Sequence, residues 1–387
     1  MDNMALDYAS ADIDALPDQS AQRAVDRALA DLRRGEPVLV TAVEGTLLVL
    51  AAEAVTASAL DHLSTLTGMV PSLVVTGQRA VALGLDVPVD QPVRLLPPRG
   101  LGLELARELS DPTRPLKSLT GGDLAARLGA VSLPGDVTAE GAATILAKIA
   151  RLLPAALVAP LPADREVRVF ARRHDLLMVA AADIVEYRRR SARSLTRVAE
   201  AAVPLEDAER TRIVAFRPSD GGPEHLAIII GDPVPGQPVL ARLHSECFTG
   251  DLLGSLRCDC GPQLRGAIRE VSTAGSGIVL YLAQEGRGIG LMNKLRAYKL
   301  QDGGLDTVDA NTVLGFDADE RVYLPAAHML KQLGFNQVRL MTNNPDKMEQ
   351  LARSGVEVVE RVPHIFPANG HNEAYLRTKA ERSGHLF

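Results

Sequence analysis

The chain has 387 residues, enough for two domains, and its 46% hydrophobic and 23% charged residues are ordinary for a folded protein. A net charge of −6 argues against nucleic acid as a partner, because nucleic-acid-binding surfaces normally carry an excess of basic residues. A membrane is not expected as a partner either, because no uninterrupted apolar stretch is long enough to span one and the acidic first residues have no apolar core like that of a secretory signal.

In the first half of the chain, strand-like and helix-like stretches alternate, which predicts an α/β domain. We expect residues 1–20 to be a flexible N-terminus and residues 21–195 to be the domain. The predicted elements are an amphipathic helix in AQRAVDRALADLRRGE that ends at Gly35, buried strands in PVLVTAV and TLLVLAAE, helices in TASALDHLSTLTG and EGAATILAKIARLLP, and the run from DREVRVFARRHD into DLLMVAAADIVEYRRR. The domain boundary is predicted in the arginine-rich stretch YRRRSARSLTRVAEAAVP.

The second half, residues 205–387, predicts a second domain, so the expected fold class is a two-domain α/β (α+β) protein. Its strands are predicted in HLAIIIGD, PVLARLHSE, GSGIVLYLAQ and NQVRLMT, and a helix in LMNKLRAYKLQDGG. A glycine-rich turn, EGRGIG, follows the third of these strands. The stretch NNPDKMEQLARSG predicts a helix with an asparagine cap, Pro345 at or near its first position and Gly355 at its end.

All three cysteines of the chain, Cys247, Cys258 and Cys260, lie within fourteen residues. In an extended segment Cys258 and Cys260 would project their sulfurs to one side, and a loop carrying Cys247 can supply a third thiolate. Three protein ligands leave one position of a zinc ion open, as in catalytic zinc sites. On spacing alone, three buried structural thiols or a closed zinc site with His244 as fourth ligand remain alternatives. Three cysteines cannot all pair, which favours a reducing compartment, the cytoplasm.

Four motifs occur in one order: RLHSECFTGDLLGSLRCDCG, QEGRGIGLMNKLRAYKLQDGGLDTVDAN, LGFDADER and LMTNNPDK. Together they resemble GTP cyclohydrolase II over about residues 205–387. The resemblance implies zinc ligands at Cys247, Cys258 and Cys260, with water in the fourth position. It also implies contacts with GTP from twelve residues: Arg242, Leu243, His244, Ser245, Glu246, Gln263, Glu285, Gly286, Arg287, Thr307, Thr342 and Lys347.

The same resemblance assigns catalytic roles to three residues. Asp319 would accept a proton, Tyr298 would lie at the reacting base, and Arg321 would act at the α-phosphate, where the family's residue is proposed as a nucleophile. Arginine stays protonated and has no free lone pair for attack, so we expect Arg321 to hold and polarise the phosphate.

Some of these residues also have an ordinary structural interpretation that does not depend on the resemblance. EGRGIG could be a plain tight turn, Lys347 a solvated lysine, Tyr298 core packing, and Asp319 with Arg321 an exposed charge pair. Lys347 is predicted in the first turn of a helix, where a cation is unfavourable unless a bound phosphate is present.

The resemblance implies hydrolysis of GTP to 2,5-diamino-6-(5-phosphoribosylamino)pyrimidin-4(3H)-one, formate and diphosphate, the first step of riboflavin biosynthesis. Mg²⁺ would accompany the triphosphate, with one Zn²⁺ per subunit of a homodimer. Two alternatives are a ring-opening paralogue that retains the formyl group and a non-catalytic module that senses GTP.

The first half resembles a degraded copy of 3,4-dihydroxy-2-butanone 4-phosphate synthase. The likeness lies in RRGEPVLV, LLVLAAEAVTASALDHL, GQRAVALGLDVP and FARRHDLLMVAAADIVEYRRR. Where that family has an acidic loop for magnesium and sugar phosphate, this chain has TAVEGTLLVL, with Glu44 as the only carboxylate, and no histidine occurs between His62 and His174. A lone carboxylate does not hold a hard divalent cation, so we expect no synthase activity.

Overall fold

The structure is a computed structural model that describes residues 19–119, 123–135, 137–190, 195–367, 370–372 and 382. It divides into two compact units. The N-terminal unit consists of the described part of 11–189 together with Met292–Glu320, and the C-terminal unit contains Arg190–Leu291 and Arg321–Phe387 as far as they are described. Met292–Glu320 therefore packs with the first half of the chain, although it lies within the predicted second domain.

Helices and strands alternate along most of the chain. The helices are α1 Gln19–Arg34, α2 Ala57–Thr67, α3 Gly77–Ala82, α4 Leu103–Ser110, α5 Leu124–Leu128, α6 Ala139–Ile149, α7 Val167–Arg173, α8 Ala181–Arg190, α9 Cys260–Thr273, α10 Leu291–Asp302, α11 Thr307–Val313, α12 Leu324–Gln332 and α13 Pro345–Arg353, with a 3₁₀ turn at Ala52–Ala54 and a π turn at Phe248–Leu252. The strands are β1 Val38–Ala42, β2 Gly45–Ala51, β3 Ser72–Val75, β4 Val93–Leu95, β5 Ala130–Ser132, β6 Ala155–Pro160, β7 Met178–Ala180, β8 Leu195–Ala202, β9 Thr211–Pro218, β10 His225–Ile230, β11 Val239–Ser245, β12 Gly277–Leu282, β13 Gln337–Met341 and β14 Glu357–Val362.

The N-terminal unit is a seven-stranded sheet with helices on both faces. Its strand order is β5-β4-β3-β6-β2-β1-β7, and among the described strands only β1 and β7 pair in parallel. Alternate residues of β2 enter two separate cores, because successive side chains of a strand point to opposite faces. Val49 packs with residues of α1, α6 and α8, whereas Leu48 packs with residues of α2, α3 and α4.

Helix α1 shows how the sequence pattern produces this packing. Its buried residues, Val25, Ala28, Leu29 and Leu32, have the spacing of one helical face. The helix ends at Arg34, and Gly35 follows with a φ of 80°, a left-handed conformation that glycine adopts without strain. The predicted end of this helix is confirmed. Of the predicted flexible N-terminus, residues 1–18 lie outside the described part of the chain, and α1 begins at Gln19.

The C-terminal unit contains a second seven-stranded sheet, in the order β14-β13-β11-β12-β10-β9-β8. Strands β14, β13, β11 and β12 are parallel neighbours, and β10, β9 and β8 extend the sheet with antiparallel pairing. One face packs against α12 and α13 and the other against α9. Parallel strands end at a common edge, so the segments after β11, β12 and β13 meet there, where ligands bind in open α/β sheets.

The predicted elements of both halves are present, and the two-domain α/β fold class is confirmed. One local prediction is wrong: Cys258 and Cys260 do not share an extended segment, because Cys260 is the first residue of α9. The last predicted helix, α13, ends at Arg353 with Ser354 as its C-cap, and Gly355 follows with a φ of 77°. Among the described residues, no helix has both the length and the apolar character required to cross a membrane.

Candidate metal and nucleotide site

The three cysteines come together after β11. Cys247 follows the strand directly, Cys258 lies in the loop beyond the π turn, and Cys260 begins α9. Their sulfurs all lie within 4.8 Å of one another, and the Sγ atoms of Cys247 and Cys258 are 3.7 Å apart. No other group of three or more possible metal ligands occurs among the residues that the structure describes. The start of α9, and not an extended segment, turns Cys260 towards the other two thiols.

Two glycines, Gly250 and Gly261, have no side chain to occupy the space in which the thiols converge. A Cβ atom at Gly250 would lie 2.7 Å from the Sγ of Cys258 and 3.0 Å from that of Cys247. A Cβ atom at Gly261 would lie 2.3 Å from the carbonyl oxygen of Gly250. Both contacts are closer than real Cβ atoms make, so the packing requires glycine at both positions. The donor set and the space between the sulfurs fit a tetrahedral zinc ion with three protein ligands.

His244 is held away from the role of fourth ligand. Its Nε2 lies 3.0 Å from Oδ1 of Asp251, and its ring stacks on Tyr281. Complete burial lowers the pKa of His244, against the opposing effect of Asp251. Asp251 also accepts hydrogen bonds from the backbone N–H of Cys247, at 2.9 Å, and from the hydroxyl of Tyr281, at 3.0 Å. This buried carboxylate therefore orients the loop that carries the first cysteine.

Without a cation the clustered thiols favour their protonated forms. The hydrogen bond with Cys247 is the main cause that raises the pKa of Cys258 to about 11, and burial adds to it. The same neighbouring thiols and burial raise the pKa of Cys260 well above its ordinary value. A thiol must lose its proton to bind a metal, so cation binding at this cluster would release protons.

Arg242 lies on β11 with its side chain buried beside the cysteine cluster. Its Nη1 donates to the carbonyl of Met341 at 2.8 Å, and its Nη2 donates to the side chain of Gln263. Among the described residues its Nε has no hydrogen-bond partner, and burial lowers the pKa of the guanidinium. A buried donor without a partner is costly, and an anionic ligand would satisfy it.

Lys347 and Thr342 follow β13. Lys347 lies in the first turn of α13 and is buried, so the interpretation as a solvated lysine is wrong. Its Nζ donates to the carbonyl of Leu243 at 3.0 Å and lies 5.3 Å from the centre of the Tyr323 ring. Thr342 is also buried, and its hydroxyl accepts from the N–H of Asn344, the N-cap of α13. A positive charge is thereby buried at a helix N-terminus, where an anion would stabilise it.

The glycine-rich turn after β12, EGRGIG, spans residues 285–290. Arg287 has a φ of 59°, a left-handed conformation that is uncommon for a residue with a side chain and is often found at functional sites. Glu285 is buried, and its carboxylate accepts from the backbone N–H of Phe248, at 2.6 Å, and of Gly286, at 3.0 Å. Glu285 thus connects this turn to the π turn that follows Cys247.

The other predicted GTP contacts on and just after β11 differ in their burial and in their hydrogen-bond partners. Leu243 is buried in the core of the C-terminal unit, so its side chain packs against protein and its carbonyl is occupied by Lys347. Ser245 accepts from the side chain of Gln284, and Glu246 lies one residue beyond the strand. The structure therefore brings together the cysteines and the predicted nucleotide contacts of β11, α9, the glycine-rich turn and α13.

The remaining predicted residues divide between the two units. Arg321 belongs to the C-terminal unit, with its guanidinium 5.8 Å from the centre of the Tyr323 ring. Tyr298, Thr307 and Asp319 belong to the N-terminal unit. Tyr298 is half-buried on α10, Thr307 is the first residue of α11, and Asp319 is exposed.

A family model described as GTP cyclohydrolase II matches residues 196–363. Over 98% of its length the chain is 59% identical to the GTP cyclohydrolase-2 of Azospirillum brasilense, and the match covers 100% of that protein. The chain belongs to the GTP cyclohydrolase II family. It is also 38% identical to the riboflavin biosynthesis protein RibBA of Synechocystis sp., over 94% of this chain and 71% of that protein.

Among solved structures, the chain is similar to a two-domain 3,4-dihydroxy-2-butanone 4-phosphate synthase from A. baumannii. The match covers 89% of this chain and 99% of that one, at 19% identity and a TM-score of 0.34.

The sequence alone did not identify two residues of this site, Gly250 and Asp251. Gly250 and Asp251 stand in the stretch between Cys247 and Cys258, but nothing local marks them as more than loop residues. Asp251 follows Cys247 by four residues, which is the separation that lets its carboxylate reach back to the N–H of the cysteine in the π turn. Their position between two candidate metal ligands, Cys247 and Cys258, is the only feature of the sequence that could have drawn attention to them.

Proposed function

We propose that the chain is a zinc-dependent GTP cyclohydrolase II, which hydrolyses GTP to 2,5-diamino-6-(5-phosphoribosylamino)pyrimidin-4(3H)-one, formate and diphosphate. The observation that carries the proposal is the convergence of three thiols around a space that Gly250 and Gly261 keep open, in a chain of this family. A zinc ion with three protein ligands would supply an activated water for attack on C8 of the guanine ring.

The side chains around the cluster supply the binding that such a reaction needs. Arg242, Arg287 and Lys347 bring positive charge to the loops at the carboxyl edge of the parallel strands, in agreement with a triphosphate accompanied by Mg²⁺. In the proposed mechanism Asp319 accepts a proton, Tyr298 orients water or donates a proton at the base, and Arg321 holds the α-phosphate. These roles rest on the family resemblance.

The proposal is tested by mass spectrometry of the products after incubation of the purified chain with GTP and Mg²⁺. We expect free formate, diphosphate and the diaminopyrimidine nucleotide. A product heavier by the mass of carbon monoxide would identify a paralogue that retains the formyl group. Binding of GTP with no turnover would favour the sensing module, and either outcome would overturn the proposal.

We propose in addition that residues 21–195 form a degenerate 3,4-dihydroxy-2-butanone 4-phosphate synthase-like domain without catalysis, and that 205–387 form the cyclohydrolase domain. Glu44, the carboxylate in the turn between β1 and β2, supports this. Its Oε1 accepts the backbone N–H of Ala139 at 2.7 Å, at the start of α6. A carboxylate engaged at a helix N-terminus is a capping group and offers a poor start for a magnesium site.

The full-length chain should not convert ribulose 5-phosphate to the four-carbon phosphate at any magnesium concentration. A hard divalent cation needs several oxygen ligands, and residues 41–50, which belong to the β1–β2 hairpin, offer one carboxylate. The assay measures formation of 3,4-dihydroxy-2-butanone 4-phosphate, with cyclohydrolase activity of the same sample as the control for folding. Synthase turnover in that sample would refute the degenerate assignment.

The proposal extends to a homodimer in the cytoplasm. The homodimer is implied by the family resemblance, and a reducing compartment would keep the three thiols available to zinc. Light scattering of the purified chain measures the oligomeric state directly.

A further inference from the structure

Met292–Glu320, called segment 292–320 below, is part of the N-terminal unit. It nevertheless contains Tyr298 and Asp319, which the proposed function assigns to cyclohydrolase chemistry. It contains nearly all of α10, the whole of α11 and the loop that leads to Asp319. The contacts that hold this segment are therefore made with the degenerate synthase-like domain, and three sets of them are described.

The first set is a partly buried charge network at the end of the segment. Glu320 lies 2.8 Å from the Nζ of Lys148 on α6 and 3.1 Å from the Nη2 of Arg188 on α8. Asp317 approaches the same two cations, at 3.3 and 3.4 Å, and its backbone N–H donates to Glu320. The side chains of Lys148 and Glu320 are 9% and 12% exposed, so this is not a solvent-screened surface pair.

Glu320 keeps its negative charge at neutral pH. Burial alone would raise the pKa of Glu320, but Lys148 and Arg188 outweigh burial and lower it from 4.5 to about 2. Because the folded-state value lies below the ordinary one, the stabilisation is present above pH 4.5 and is lost as the pH falls towards 2.

The second set holds the backbone just before the charged loop. The hydroxyl of Thr76 donates to the carbonyl of Gly315 at 2.8 Å, and the Nη1 of the buried Arg79 donates to the carbonyl of Val313 at 3.3 Å. The Nε2 of Gln78 donates to Asp317 at 2.7 Å. Gly315 has a φ of 95°, and a Cβ atom there would lie 2.8 Å from the Thr76 hydroxyl. Helix α3 therefore contacts the segment closely.

The third set anchors α10, the helix of Tyr298. The guanidinium of Arg296 forms an ion pair with Glu53 at 2.9 Å. The side chain of Asn293, which is fully buried, donates to the carbonyl of Arg151 at 3.0 Å. Arg296 and Asn293 lie two and five residues before Tyr298 on the same helix.

From these contacts we infer that Lys148 and Arg188 of the synthase-like domain are positioning residues for Asp319, an inference that rests on the proposed cyclohydrolase function. Asp319 lies between Asp317 and Glu320, and both neighbours are held by the same two cations. A shift of its backbone would separate Glu320 from two partly buried cations, which is unfavourable. The domain has lost its own chemistry and serves to hold a catalytic segment of the cyclohydrolase.

The test uses the full-length, zinc-loaded chain and begins with Lys148→Met, which keeps the length of the side chain and removes the charge. We expect kcat for formate release to fall about 10- to 10²-fold, as small displacements of catalytic groups do, while KM for GTP and zinc content stay unchanged. Lys148→Arg should recover most of the activity. The matched control is Arg94→Met. It removes the cation paired with Glu140, which lies near the start of α6, the helix of Lys148, and kcat should not change.

A double-mutant cycle with Glu320→Gln separates positioning from general destabilisation. If the pair acts as a unit, the double variant loses no more kcat than the worse single variant. Thermal unfolding of each variant measures how much protein is folded at the assay temperature. Should Lys148→Met fail to fold, Gln78→Leu tests the same segment. Gln78 is partly exposed, so this substitution should destabilise the fold less, and it should also lower kcat without changing KM.

Two outcomes would overturn the inference. In the first, a folded Lys148→Met or Gln78→Leu chain has the same kcat as Arg94→Met. In the second, the losses of kcat from Lys148→Met and Glu320→Gln multiply in the double variant. Both require that the unaltered chain turns over GTP, so a failure of the positioning role is distinct from a failure of the proposed function, in which the unaltered chain itself is inactive.

Discussion

Replacing Cys258 with serine should remove both bound zinc and formate production. Three sulfurs converge on one point in the C-terminal unit, and a three-ligand site has no spare ligand to compensate for the loss of one. A hydroxyl does not replace a thiolate as a zinc ligand, because it does not ionise at neutral pH. We expect about one zinc per chain before the substitution and none after it, measured by elemental analysis beside a formate assay.

Gly250→Ala gives a sharper version of the same experiment, because all three thiols stay in place. The added Cβ would lie 2.7 Å from the Sγ of Cys258, so the sulfurs must move apart. We expect loss of zinc and activity here as well. Gly102→Ala is the matched control, because a Cβ there meets nothing within 4 Å and the residue has an ordinary backbone conformation. Full cyclohydrolase activity in a metal-free preparation would contradict the proposed mechanism.

Tyr298→Phe should slow formate release by about 10²- to 10⁴-fold, the usual contribution of a positioned proton donor or acceptor. The ring and its contact with Lys294, whose Nζ lies 5.7 Å from the ring centre, are retained in the variant. Zinc content and GTP affinity should therefore remain, and the loss should appear in kcat, measured with elemental analysis and GTP titration on the same sample.

Tyr187→Phe is the control for this substitution. Its hydroxyl donates to the carboxylate of Asp26 at 2.6 Å within the N-terminal unit, so its removal should cost about 1.5–3 kcal/mol of stability. Turnover should not change. If Tyr298→Phe turns over GTP as fast as Tyr187→Phe, the tyrosine on α10 contributes packing alone.

Elements with a local signal could be predicted from the sequence. Spacing of apolar residues, caps and glycines predicted α1, α2, α6 and α13 and the strands β1, β2, β10, β11, β12 and β13, because these features depend on neighbours a few residues apart. The clustering of three cysteines and the order of the four motifs pointed to a metal and to the family. The family is confirmed and the three thiols converge, although the local conformation predicted at Cys260 is wrong, because thiols within fourteen residues can converge in more than one backbone geometry.

The family, the three cysteines as candidate metal ligands and the single carboxylate of residues 41–50 can therefore be recognised from the residues alone. The surroundings of these residues depend on how distant parts of the chain pack. Lys148 and Glu320 are 172 residues apart, Arg242 and the carbonyl of Met341 are 99 apart, and Lys347 and the carbonyl of Leu243 are 104 apart. No local periodicity encodes such pairs, since they form only when separate elements pack and exclude water, and that same burial turns an ordinary charge pair into one that holds a segment in place.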